Sequence, residues 1–146
     1  MDELQHLEDL MYGINYGTYL GLLTLPSGTS LDAAAAAIAE VYPEAELSGP
    51  TPTDAAALWE EIRFGFDYRG EPSRGSGLDV TEAEEARLRE LQGRYRDYVQ
   101  GFIDAESAIY TGGMRGLPGY PLYWDFRLLI LNADRPGLLL FGNASD

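Results

Sequence analysis

The sequence predicts an α+β domain in which a long amphipathic helix packs on a C-terminal antiparallel β-hairpin or small sheet. Two hydrophobic periods support this fold class. Apolar residues recur at spacings of three and four between Leu88 and Ile109, which is the period of a helix. They recur at every second residue between Tyr120 and Ile130, which is the period of a strand. The glycine-rich segment 111–119 separates the two patterns, and we expect the chain to turn there.

The length and composition support one globular domain over residues 1–146. The chain has 146 residues, of which 45% are hydrophobic, and this is enough for a substantial core. It has no Cys, which excludes thiol nucleophiles, cysteine-based zinc sites and iron–sulfur clusters. It has ten Arg and no Lys, which excludes Schiff-base chemistry and indicates GC-rich coding in a bacterium or its phage. We therefore predict neither a metal nor a cofactor.

The first part of the chain, residues 1–64, is predicted to be acidic and mainly helical. The segment 14–25 is ambiguous, because its Tyr, Thr and Leu content suits a strand while its glycine spacing suits a closely packed helix. A later helix begins at Thr51 or Thr53 and ends near Phe64. The predicted helices are Asp2–Met11, Leu31–Tyr42 with Ser30 as its cap, and this third helix, which would bury Ala56, Trp59 and Ile62 or Arg63.

The middle of the chain is predicted to hold an irregular loop at 65–77 and then the long helix at 79–110. Four Gly, one Pro and two Ser indicate the loop. Thr81 and Glu84 have the spacing of a capping box at the start of the helix. Two interpretations of the heptad pattern stay open, namely a homodimer through residues 88–109 and a helix packed across its own domain.

The C-terminal part is predicted to be a β-hairpin over residues 120–142. The segment 132–137 has the composition of a turn, and Leu138–Phe141 returns as the second strand. Because the first strand is hydrophobic on both faces in its second half, we expect it to be a central strand that the long helix covers.

The charge of the chain is unevenly distributed. The net charge is −14, and residues 1–62 contain eleven acidic residues and no Arg or Lys. Such a segment repels nucleic-acid phosphate and anionic lipid, and it attracts a basic protein surface. The alternative is an acidic face that only keeps the protein soluble.

No targeting or membrane-spanning segment is predicted. The longest uncharged apolar run, residues 10–25, contains three Gly and is shorter than the about 20 apolar residues that a membrane span needs. The acidic start of the chain is unlike a secretory signal. We therefore expect a cytoplasmic protein without direct contact to nucleic acid or membrane.

The sequence holds no recognisable catalytic constellation. His6 is the only histidine, and no Gly-x-Ser-x-Gly elbow supplies a nucleophile for it. Adjacent carboxylates such as Glu60 and Glu61 point in different directions on a helix, so they form no acid–base pair by local geometry. The glycine run 112–119 follows a helix and lacks Lys, which is unlike a phosphate loop. These observations favour a protein that is not an enzyme.

Besides its acidic charge, the chain has many aromatic side chains that can contact a partner, including ten Tyr and two Trp. Tyr, Trp and Arg are enriched at binding hot spots. The acids of the third helix lie beside a Trp and ahead of the flexible loop, so we assign partner binding to this region. The predicted partner-binding residues are Asp54, Trp59, Glu60, Glu61 and Tyr68.

The closing stretch, Tyr123–Leu131 followed by a polar turn and Leu138–Asp146, resembles the terminal hairpin of small bacterial toxin-immunity proteins. The resemblance covers about 25 residues and carries over no binding residue. It implies a small acidic domain that neutralises a toxin by binding it.

Three functions follow as hypotheses. The first is a non-enzymatic inhibitor, either an immunity protein or an antitoxin, whose partner is a toxin with a basic surface. The second is a phage-encoded anti-defence protein or nucleic-acid mimic that occupies a basic groove. The third is a small enzyme that uses carboxylates.

Overall fold

A five-stranded antiparallel sheet forms the centre of the structure, a computed structural model that describes residues 1–146. From one edge to the other its strands are β2 (Gly17–Leu25), β9 (Gly137–Ser145), β8 (Trp124–Leu131), β6 (Ala108–Thr111) and β4 (Thr51–Thr53). Two further antiparallel pairs join β1 (Gly13–Ile14) to β5 (Gly77–Leu78) and β3 (Glu46–Leu47) to β7 (Met114–Arg115). The helices are α1 (Leu4–Leu10), α2 (Leu31–Val41), α3 (Ala55–Asp67), α4 (Glu82–Gln100) and a 3-10 helix at Pro72–Arg74.

The predicted α+β class and the C-terminal hairpin are confirmed. Strands β8 and β9 pair antiparallel from Trp124 to Ile130, with Leu128 opposite Leu140. Strand β8 lies between β9 and β6, so it is the central strand that its two apolar faces predicted. The ambiguous segment 14–25 contains β2, which pairs with β9 at one edge of the sheet.

Each face of the sheet carries its own hydrophobic core. On one face, the alternate β8 residues from Trp124 to Ile130 pack with α1, α3 and α4. On the other face, Leu129 and Leu131 pack with α2. The side chains of successive strand residues point to opposite faces, which explains why the sequence of β8 is apolar without interruption from Leu128.

Helix α4 shares the first core with the hairpin. Its residues Leu88, Leu91, Tyr95 and Val99 are fully buried. The ring of Phe66, on α3, lies between the two elements, 5.0 Å from the Tyr95 ring and 6.4 Å from the Phe126 ring. The buried part of the heptad seam therefore packs within the domain, and the homodimer through residues 88–109 stays a prediction.

The predicted caps Ser30 and Thr81 are confirmed, whereas the helix start at Thr51 or Thr53 is wrong, because Thr51–Thr53 forms β4 and α3 begins at Ala55 with Asp54 as its N-cap. The Ser30 hydroxyl accepts a hydrogen bond from the Ala33 amide at the start of α2. The Thr81 hydroxyl accepts from the Glu84 amide, and the Glu84 carboxylate accepts from the Thr81 amide, which completes the predicted capping box. None of the four helices has both the length and the apolar character needed to cross a membrane.

The predicted end of the long helix, residue 110, is wrong. Helix α4 ends at Gln100, and residues 108–111 form strand β6. The Asp104 carboxylate accepts a hydrogen bond from the Glu106 amide, and the Ser107 hydroxyl accepts one from the Asp104 amide. These side chains satisfy backbone amides locally, which competes with the helix and turns the chain back toward the sheet.

The predicted loop at 65–77 and the helical character of residues 1–64 also need correction. Helix α3 continues through Gly65 to Asp67, and the remaining loop holds the 3-10 helix and strand β5. Residues 1–64 include four strands besides three helices. Ala56 and Arg63, two predicted core positions, are exposed, because α3 turns Leu58, Ile62 and Phe66 inward.

Candidate protein-binding surface

The outer face of α3 carries a surface depression with a volume of about 450 Å³. Residues 60, 63, 64 and 67 line it from one face of α3, because they recur at helical spacing. Tyr68, the first residue after the helix, completes the lining. The ring of Phe64 stands in this depression with 63% of its surface exposed. An exposed phenylalanine on a well-formed helix is a candidate anchor for a partner, because aromatic residues including Phe are enriched at the cores of protein interfaces. The lining residues are Glu60, Arg63, Phe64, Asp67 and Tyr68.

Behind Phe64 lies a cluster of aromatic rings that connects the surface to the core. The ring of Tyr68 lies 6.2 Å from Phe64, 6.1 Å from Tyr16 and 5.8 Å from Tyr123. The Trp124 indole N–H donates a hydrogen bond of 2.5 Å to the Tyr16 hydroxyl. Burial raises the pKa of Tyr16 to about 12, so its hydroxyl stays neutral. The exposed end of this aromatic cluster is therefore held by fixed, buried neighbours.

The hydroxyl of Tyr68 is also fixed. It donates a hydrogen bond of 3.0 Å to the Glu71 carboxylate. Desolvation and this bond raise the pKa of Tyr68, while the nearby Arg74 guanidinium acts in the opposite direction. Tyr68 is accordingly a neutral side chain with a fixed ring orientation at the rim of the depression.

The charged residues of the depression are unequally paired. Arg63 forms an ion pair with Glu60, with 2.5 Å between guanidinium nitrogen and carboxylate oxygen. Asp67 is exposed and has neither an ion pair nor a side-chain hydrogen bond. The depression thus keeps one free carboxylate next to its aromatic rings.

The structure brings together only two of the five predicted binding residues, Glu60 and Tyr68. Asp54 is the N-cap of α3, and its carboxylate accepts a hydrogen bond of 2.8 Å from the Ala57 amide. Trp59 is half-buried against the first core. Glu61 points toward the sheet, where the Thr111 hydroxyl lies 2.9 Å from its carboxylate.

Sequence reasoning missed Phe64, Arg63 and Asp67 as lining residues. The signal was present, because Glu60, Phe64 and Asp67 follow one another at intervals of four and three residues. It was hidden by the interpretation of Gly65 as the start of a loop, which ended the helix before this face was complete.

Glu61 has an unusual environment for a carboxylate. Burial raises its pKa, the nearby Asp125 carboxylate adds to this effect, and Thr111 and Arg127 oppose it. A half-buried carboxyl of this kind is suited to proton transfer. The Thr111 hydroxyl lies 2.9 Å from one Glu61 oxygen and 3.1 Å from the other, and it donates its one proton to this carboxylate.

The acids of residues 1–62 are partly neutralised by arginines from later in the chain. Glu3 pairs with Arg94 at 2.6 Å, and Glu46 pairs with Arg115. The Glu8 carboxylate accepts a hydrogen bond of 2.9 Å from the Leu20 amide on edge strand β2. Four acids of this segment have no ion pair and no side-chain hydrogen bond, namely Asp2, Asp32, Glu40 and Glu44.

A second depression, of about 330 Å³, lies on the α2 side of the sheet. Its polar groups bind one another. Arg127 pairs with Asp125 at 3.0 Å and donates to the Met114 carbonyl, and the Asn143 amide donates to the Pro118 carbonyl at 3.0 Å. No group of three or more His, Asp or Glu side chains is placed to hold a metal ion.

Comparison of the chain with protein-family models, with curated proteins and with solved structures finds no match.

Proposed function

We propose that this chain is a non-enzymatic acidic protein that binds and inhibits a partner protein with a basic surface. It acts as a cytoplasmic immunity protein or antitoxin that neutralises a bacterial toxin. One observation carries the proposal: Phe64 is 63% exposed on α3, beside two carboxylates and in front of the aromatic cluster. The net charge of −14 supports a basic partner.

The arrangement has the features of an interface anchor. An aromatic ring buries about 150–250 Å² when a partner covers it, and it loses little conformational freedom on binding. Tyr16 and Tyr123 support Tyr68 from behind, so ordering this surface costs little further entropy. The surrounding acidic charge attracts a basic partner from a distance and mainly raises the association rate.

The alternative, an anti-defence protein or nucleic-acid mimic, would use another surface. Asp32, Glu40 and Glu44 have no ion pairs, and they lie on α2 or just after it. Helix α2 covers the opposite face of the sheet from α3. The two hypotheses therefore place the interface on different faces, and substitutions can separate them.

The test begins with identification of the partner. Immobilised wild-type chain captures proteins from the cells that carry the gene, and the captured protein is purified for measurements of affinity and activity. We expect Phe64→Ala to weaken binding about 30-fold, because truncation of a hot spot costs about 2 kcal/mol. Val41→Ala is the matched control, since Val41 is also exposed, at 51%, but lies at the end of α2.

The outcomes separate the hypotheses. The proposal requires that the wild type abolish the activity of the partner and that Phe64→Ala restore this activity at the same concentration. A partner that stays fully active when bound would contradict inhibition. Binding that survives Phe64→Ala but is lost on neutralising Asp32, Glu40 and Glu44 together would favour the mimic.

A further inference from the structure

The carboxylate of Asp67 is exposed and has no partner within the chain. Arg63 lies four residues before it on α3 but pairs with Glu60 instead. An acid preceding its base along a helix is the more favourable order, which explains the choice of Glu60. Asp67 is also the last residue of α3, where the helix dipole disfavours negative charge. The carboxylate of Asp67 is therefore free to bind a cation that comes from outside the chain.

The rings beside Asp67 suit the same kind of ligand. The rings of Phe64 and Tyr68 lie 6.2 Å apart with an interplanar angle of 35°. The face of an aromatic ring attracts a cation within about 6 Å of its centre. The chain itself shows this contact elsewhere, since the Arg96 guanidinium lies 5.8 Å from the centre of the Phe66 ring.

The chemistry favours a guanidinium over an ammonium. A guanidinium is flat, so it stacks on a ring and presents parallel N–H groups to a carboxylate. It is also less strongly hydrated than an ammonium, which lowers the cost of entering the depression. The volume of about 450 Å³ leaves room for the group and its aliphatic stem.

We infer that the depression on α3 takes an arginine side chain of the partner. The guanidinium stacks on the rings of Phe64 and Tyr68, and its N–H groups donate to the carboxylate of Asp67. This assignment rests on the proposed function, to which it adds the chemical identity of the contact.

The test uses capped tripeptides as probes, acetyl-Gly-Arg-Gly-amide and its lysine and citrulline counterparts. They are titrated into the full chain labelled with ¹⁵N, and amide and aromatic resonances are followed. We expect the arginine peptide to shift resonances of residues 60–68 and to bind about threefold more tightly than the lysine peptide. The citrulline peptide, which has a similar shape but no charge, should not shift them.

Two pairs of variants locate the contact. Asp67→Asn should weaken arginine binding about fivefold, whereas Asp32→Asn removes the same charge from another unpaired, exposed acid and should leave it unchanged. Phe64→Leu should also weaken it, because leucine keeps the apolar surface but has no ring face. Thermal unfolding of each variant checks that the fold is retained.

Three results would overturn the assignment: equal effects of Asp67→Asn and Asp32→Asn, equal affinity for arginine and lysine, or shifts spread over the whole acidic surface. The failure of this inference is distinguishable from failure of the proposed function. Peptide binding is measured without a partner, while the proposed function is decided by whether the captured partner loses its activity.

Discussion

Two glycines inside helices provide a direct test of the packing. A Cβ atom added at Gly65 on α3 would lie 2.6 Å from the Trp124 indole and 2.9 Å from two further atoms of its ring. A Cβ atom added at Gly93 on α4 would have nothing within 4 Å. We predict that Gly65→Ala destabilises the protein and that Gly93→Ala stabilises it.

The magnitudes follow from two opposing effects. Replacing Gly by Ala in a helix interior favours folding by about 1 kcal/mol. At Gly65 this gain is outweighed, because an overpacked core costs about 1–3 kcal/mol. The indole cannot move away easily, since Trp124 is only 5% exposed, stacks on Phe126 and donates its N–H to Tyr16. The two variants should therefore differ by about 2–3 kcal/mol in the free energy of unfolding.

Urea unfolding followed by circular dichroism measures this difference, and thermal unfolding supports it. At about 3 °C per kcal/mol for a chain of this size, we expect Gly93→Ala to raise the Tm by about 3 °C. Gly65→Ala should lower it by a similar amount or more. Equal changes for the two variants would refute the close contact between α3 and the indole, and with it the position of α3 on the sheet.

The remaining predictions concern two carboxylates. Because burial raises the pKa of Glu61, its charge opposes folding above that pKa, and Glu61→Gln should increase the free energy of unfolding at pH 7 while keeping an oxygen for Thr111. The gain should fade as the pH drops toward about 3, below the ordinary pKa of a Glu carboxyl, where the group is protonated in both states. Urea titrations at several pH values measure this dependence, and a loss of stability at pH 7 would contradict it. Glu8→Ala should cost about 1 kcal/mol in the same measurement, because the Leu20 amide on the sheet edge loses a charged acceptor. Asp9→Ala is its control, since the Asp9 carboxylate accepts only from a neighbouring side chain on the surface, and equal effects of the two would show that Glu8 contributes nothing at the edge.

Local patterns predicted the elements that depend on local physics. The capping box at Thr81 is confirmed because Thr and Glu three residues apart satisfy each other's backbone amides wherever the helix lies. The central position of β8 is confirmed because a strand that is apolar on both faces needs cover on both sides. The α+β class followed from the change of hydrophobic period, from a spacing of three and four to a spacing of two.

Elements whose ends depend on tertiary contacts were less predictable. The apolar spacing of three and four continues to Ile109, yet Ile109 points into the core from strand β6 and not from a helix. The residues that end α4 do so through hydrogen bonds of Asp104 and Ser107, which a count of apolar positions does not register. The Gly, Pro and Ser content of residues 65–77 likewise predicted the end of the helix before Gly65, although the missing side chain of Gly65 is what allows α3 to approach Trp124.

The close approach of α3 to Trp124 at Gly65 also shapes the candidate binding surface. Because α3 continues past Gly65, Phe66 is directed into the core while Phe64 and Asp67 remain on the outer face. Had the helix ended before Gly65, Phe64 and Asp67 would no longer share one helical face, and the depression would lose its shape. The close contact at Gly65 is therefore a condition for binding as well as for stability. Gly65→Ala should therefore weaken the binding of both the arginine peptide and the partner. Gly93→Ala should leave both affinities unchanged, even though the two substitutions are chemically the same.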